Sequence, residues 1–181
     1  MLRTICAGII VFTCVMWAPA QSPRAAEAHA DLNGTWKLNA QKSDLADDYR
    51  YALSLGEESV RLSAHDPEIK VTRRYSFGES NSTLYTDGRT ASNRDTTGET
   101  FQSSAKWEGR KLISRYALHR SFGGNPETVD VIDEWSISND GKTLTLKTTL
   151  RYLQRGTDAA HREPFRGYVP RLWLKRVYDR I

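Results

Sequence analysis

Cysteine and methionine are nearly missing from this chain of 181 residues. Each occurs twice, and Met1, Cys6, Cys14 and Met16 all lie at the extreme N-terminus. Beyond position 16 the sequence has no disulfide, no thiolate zinc site and no cysteine nucleophile to offer. Other absences are equally plain. There is no Gly-x-Ser-x-Gly, no phosphate loop and no dinucleotide fingerprint. His65, His119 and His161 stand far apart, with no paired spacing for a metal. No metal, cofactor or catalytic residue is expected, and the chain does not read as an enzyme.

The one long apolar run covers residues 5–17, behind Arg3 and ahead of Ala18-Pro19-Ala20. Its length falls within the ~7–15 residues of a secretory h-region and short of the ~20 needed to span a bilayer. Residues 1–20 are therefore expected to be a cleaved signal peptide, and the rest an exported protein, periplasmic or secreted, with no stable membrane insertion. Thr13 before Cys14 is a poor lipoprotein cleavage context, so lipid anchoring is not expected.

Removing that segment changes the charge argument. The pI near 9.1 suggests a nucleic-acid partner. Without Arg3, the 26 basic residues become 25 against 22 acidic ones, a balance of +3 scattered over loops of mixed sign. No single-sign basic stripe remains, and nucleic acid is not an expected partner.

What is present is alternation. Residues 21–30 are small and polar and read as a disordered spacer. From 31 to 181 short segments alternate apolar and polar residues between turn signals, the pattern of an antiparallel all-β domain. Nine segments qualify: 32–39, 59–64, 69–77, 82–86, 100–107, 111–118, 128–138, 143–151 and 169–178. A helix is plausible only over 43–55, where Ser43 precedes an acidic turn. A meander of such strands protects its edges by closing into a barrel, and antiparallel closure needs an even number. A tenth strand is therefore sought in 49–55, 89–94 or 162–168, and eight to ten strands are expected. Counting nine puts the links at 40–57, 78–81, 108–110 and 139–142 at one end. It puts those at 65–68, 87–99, 119–127 and 152–168 at the other.

Gly34-Thr35-Trp36 is similar to the Gly-x-Trp that opens the first strand of the calycins, the superfamily of lipocalins and fatty-acid-binding proteins. The wider block from Leu32 to Asn39 resembles bacterial secreted lipocalin-like proteins of unknown function. So do Thr86-Asp87-Gly88-Arg89, Lys106-Trp107-Glu108-Gly109-Arg110, Trp135-Ser136-Ile137-Ser138-Asn139-Asp140-Gly141 and Arg176-Val177-Tyr178-Asp179-Arg180. The resemblance implies a small up-and-down barrel with Trp36 plugging its base beneath a C-terminal cation, for which Arg171, Lys175 and Arg176 are the candidates.

Trp36, Tyr75, Phe101, Trp107, Tyr116, Trp135 and Trp173 either line a ligand cavity or fill the core; alternation alone does not separate the two. Tyr178 belongs to the same question. Ser103 and Lys106 match an acyl-transfer spacing, but three apart on a strand they face opposite ways. Asp130 and Glu134 share a strand face with no sign that it is internal. Two functional readings follow. One is a non-enzymatic barrel holding a small apolar or amphipathic ligand. The other is a packed barrel acting as a protein-interaction or envelope-associated module.

Overall fold

A computed structural model describes residues 29–45, 56–122, 125–152 and 173–181. Within them the chain forms ten strands: β1 (Gly34–Leu38), β2 (Glu57–His65), β3 (Glu68–Tyr75), β4 (Gly78–Tyr85), β5 (Ala91–Arg94), β6 (Thr100–Glu108), β7 (Lys111–Phe122), β8 (Asn125–Ile137), β9 (Thr143–Tyr152) and β10 (Trp173–Arg180). No helix occurs among the described residues.

Every ladder is antiparallel and the sheet order is β4-β3-β2-β1-β10-β9-β8-β7-β6-β5. The first and last strands pair, with Trp36 opposite Arg180 and Leu38 opposite Tyr178. The sheet therefore curls into a nearly closed barrel whose one seam lies between β4 and β5. The tenth strand, needed for even closure, is β5, inside the window 89–94.

That strand corrects the assignment of the loops. By dividing the link 87–99, β5 reverses the direction of everything after it. Turns 66–67, 86–90, 109–110 and 138–142 now share one end, the base, with Asn33 and Ile181. Turns 76–77 and 95–99 lie at the opposite, upper end, where β9 finishes and β10 begins. Strands β4, β7 and β8 also run longer than their apolar alternation. The expected helix over 43–55 falls outside the described residues from 46 onward, and Asp44 is in an extended bridge to Lys175. The signal segment 1–20 and most of the spacer lie outside them too.

The base is built from inward side chains of the alternating strands. Leu32, Trp36, Ile69, Leu112, Trp135 and Leu144 form its buried apolar cluster. The Trp36 indole N–H donates to Leu32 O at 3.2 Å. Arg180, and not Lys175 or Arg176, supplies the cation over Trp36, 4.9 Å from the ring centroid. Register explains the choice: Arg180 is the direct cross-strand partner of Trp36, whereas Arg176 points into the barrel and Lys175 points out. Arg171 falls outside the described residues. Arg180 also donates to Asn33 O and Gly141 O, tying three chain segments together. A Cβ on Gly34, whose φ is +136°, would approach the Arg180 guanidinium to 3.3 Å. The glycine of Gly-x-Trp thus clears space for the cation as well as adopting a backbone angle that side chains disfavour.

Candidate functional site

Above the base, the inward positions change character from apolar to ionic. Arg73 continues the stripe of Ile69, Val71 and Tyr75 on β3, and Arg176 sits between Leu174 and Tyr178 on β10. Asp133 lies on β8 opposite Thr148 of β9. Glu57 needs a special device. Residues 60 and 62 of β2 point inward, so a regular strand would turn residue 57 outward. A bulge between Glu57 and Ser59 shifts the register by one and brings Glu57 inside. Gly56 precedes it at φ +68°, where a Cβ would strike Ser76 Oγ at 2.5 Å.

These side chains close a ring across the barrel. Arg176 donates from one NH group to Glu57 Oε2 at 3.0 Å and from the other to Thr148 Oγ1 at 2.7 Å. Thr148 in turn donates to Asp133 Oδ1. Arg73 completes the circuit, reaching Glu57 at 3.6 Å and Asp133 at 3.7 Å while lying over the Trp135 ring at 5.1 Å. Two phenols join from the sides: Tyr178 donates to Glu57 Oε1 at 2.6 Å and Tyr116 to Asp133 Oδ2 at 3.3 Å.

The electrostatics follow from this pairing. Burial opposes the Arg73 and Arg176 charges, but Glu57 above all, with Asp133, outweighs it and raises both pKa values. Burial chiefly raises the pKa of Tyr75, Tyr116 and Tyr178, so all three stay neutral.

Beside the ring lies a cavity of about 90 Å³, running from Trp135 and Arg73 past Phe101 and Tyr116 to Arg94 and Asp95 in the upper turn. It has room for about three waters at ~30 Å³ each, well below the ~300–1,000 Å³ of a drug-sized ligand pocket. Trp135 lines it, and the buried Trp135 Nε1 has no hydrogen-bond partner among the described residues. At the seam Asn93 substitutes for a missing ladder. Its amide accepts from Thr83 N at 2.7 Å and donates to Thr83 O at 2.9 Å and to Ser103 Oγ at 2.8 Å.

Of the seven aromatic candidates, Tyr75, Phe101, Tyr116 and Trp135 border this cavity. Trp36 is packed in the base. Trp107 also sits low, donating to Asp66 and stacking on His29. Trp173 is 41% exposed, on the outward parity of β10. Glu57, Arg73, Asp133 and Thr148 are functional candidates that alternation and motifs do not single out, and Arg176 lies in the ring and not over Trp36. A signal existed for Arg73 and Arg176: each occupies an inward position of an otherwise apolar or aromatic stripe. For Glu57 there was none, because its orientation depends on the bulge. Asp130 and Glu134 lie on the outer face, with Glu134 against Lys111 at 3.4 Å. Ser103 faces inward and Lys106 outward.

No family model matches the chain, and no curated protein sequence matches it. Solved structures do. The REP1-NXSQ fatty acid transporter is 16% identical, with a TM-score of 0.53 over 83% of this chain and 96% of its own. Zebrafish ileal bile acid-binding protein, solved with cholic acid, is 14% identical, with a TM-score of 0.54 over 82% and 98%. Echinococcus granulosus fatty-acid-binding protein 1 is 12% identical, with a TM-score of 0.52 over 83% and 97%. These neighbours are named as binding or transport proteins. In fold, as a ten-stranded and nearly closed β-barrel, the chain is similar to these fatty-acid- and bile-acid-binding proteins.

Proposed function

We propose that this protein is an exported, non-enzymatic barrel that binds one small amphipathic molecule. Its apolar part would rest on the upper wall of Phe101, Leu118, Val131 and Leu150, and its polar end on the ionic ring. One observation carries the reading: the buried ring stands against a cavity that Trp135 also lines, and the buried indole N–H of Trp135 has no acceptor among the described residues. Stability alone does not call for such a ring. Unit charges 4 Å apart gain about 4 kcal/mol at an effective dielectric near 20, while desolvation costs several kcal/mol per ion. An apolar core of the same volume would serve as well, so a buried ring facing a cavity favours a role in recognition. The fatty-acid and bile-acid neighbours support the same class of ligand, without identifying it. Export rests on residues 1–20, and N-terminal sequencing of the mature protein should begin at Gln21.

A guest larger than the cavity must displace side chains or extend toward the upper end. That small volume favours the second reading, a packed barrel used as a protein-interaction or envelope-associated module. Native mass spectrometry of protein purified from its host separates the two. A co-purifying lipid-like molecule at one per chain supports binding; a ligand-free chain with a filled core at high resolution overturns it.

A further inference from the structure

Charge balance around the cavity narrows the class of ligand. Arg73 and Arg176 contribute two positive charges, and both already face acids: Arg176 meets Glu57, and Arg73 lies between Glu57 and Asp133. Thr148 relays between Arg176 and Asp133, and each acid also accepts from a phenol. At the upper rim Arg94 and Asp95, neighbours in sequence, both line the cavity. The lining thus carries Arg73, Arg94 and Arg176 against Asp95 and Asp133, and Glu57, buried behind it and paired with both inner arginines, makes the third carboxylate.

A ligand carboxylate approaching Arg73 or Arg176 would meet Glu57 or Asp133 at the same guanidinium. Displacing either acid would leave a buried anion without its counter-ion, which is strongly unfavourable. An ammonium head meets the converse obstacle, since both carboxylates are occupied by guanidinium. A neutral head escapes both. A carbonyl or hydroxyl oxygen that reaches Trp135 Nε1, buried without an acceptor among the described residues, would accept from it, and a hydroxyl or amide hydrogen would share Asp133, the ring carboxylate on the lining.

We infer that the ionic ring of Glu57, Arg73, Asp133 and Arg176 makes this cavity selective for amphiphiles with a neutral hydrogen-bonding head, an alcohol or amide, and rejects fatty carboxylates. The inference rests on the ligand-binding reading above. It also makes Glu57 the residue that sets head-group choice, because its side chain neutralises both arginines.

The test is a matched series, 1-dodecanol, dodecanamide, dodecanoate and dodecylammonium, titrated into the full-length mature protein and followed by tryptophan fluorescence and calorimetry. The alcohol and amide should bind at least about tenfold more tightly than either ion, a difference of ~1.4 kcal/mol. In Glu57→Gln, which keeps the side-chain shape, dodecanoate should gain at least about tenfold while dodecanol changes little. The ranking in the unmodified protein stands even if that variant fails to fold, and Asp133→Asn offers a second route to the same gain. Tightest binding of dodecanoate or dodecylammonium by the unmodified protein overturns the inference and leaves the ligand-binding reading intact. An unchanged ranking in a folded Glu57→Gln also overturns it. Failure of all four to bind overturns both.

Discussion

Arg73 of β3 and Asp133 of β8 meet across the barrel interior, NH2 to Oδ2 at 3.7 Å, and this contact turns a row of wall residues into a closed ring. The remaining members, Glu57, Arg176 and Thr148, are near neighbours along the β2–β1–β10–β9 wall. Packing side chains would not require such an arrangement, and its energetics can be tested by removing one charge at a time.

Glu57→Ala leaves two buried guanidiniums short of a partner and should lower unfolding stability by about 3–5 kcal/mol, read from urea denaturation. Adding Arg176→Met should recover part of that loss, because the stranded charge goes with it. A double variant less stable than Glu57→Ala would show that the ring contributes net stability.

At the base, Arg180→Ala removes the cation over Trp36 and its bonds to Asn33 O and Gly141 O. A loss of about 1–2 kcal/mol is expected in thermal unfolding. Gly34→Ala should also destabilise, by more than about 1 kcal/mol, since φ is +136° and the added Cβ crowds the same guanidinium. Unchanged melting of Gly34→Ala would contradict this account of the Gly-x-Trp motif.

Asn93 holds the seam that β4 and β5 leave unpaired. Asn93→Ala removes its three bonds to Thr83 and Ser103 and should cost about 1–3 kcal/mol. Amide exchange at Thr83 should quicken more than at base residues such as Leu144. Equal protection before and after the change would mean that the seam is held by something else.

The three buried phenols give a pH prediction. Their folded pKa values lie above the ordinary value of 10.0, so folding favours the neutral form. The associated stability is fully present below pH ~10 and is lost as pH rises further. Ultraviolet titration should show Tyr75, Tyr116 and Tyr178, of the eight tyrosines, ionising only together with unfolding. Ordinary titration of all eight near pH 10 in folded protein would contradict their burial.

The fold was more legible in the sequence than the site, for a physical reason. Wherever one face is apolar, as along Val60 and Leu62 or Ile69 and Val71, alternation identifies a strand. Ala91-Ser92-Asn93-Arg94 shows no such contrast because its inward residue Asn93 is polar, and only the need for even closure pointed to that window. The loop assignment depended on this four-residue strand, so missing it reversed every turn that followed. Trp36 packs in the base, and the cation over it depends on register, which composition does not reveal. The ring was hidden because charged residues in strands read as solvent-facing. Arg73 and Arg176 broke the inward stripe in view, whereas Glu57 faces inward only through a bulge.

The central claim is that this cavity takes one small amphipathic molecule. Titration of the mature protein with the neutral fluorophore N-phenyl-1-naphthylamine tests it most directly, alongside Leu118→Trp, which places bulk on the cavity wall. The account predicts saturable binding of one probe per chain, competition by 1-dodecanol, and loss of binding in the folded Leu118→Trp protein. Absence of saturable binding, or undiminished binding by that variant, would contradict it.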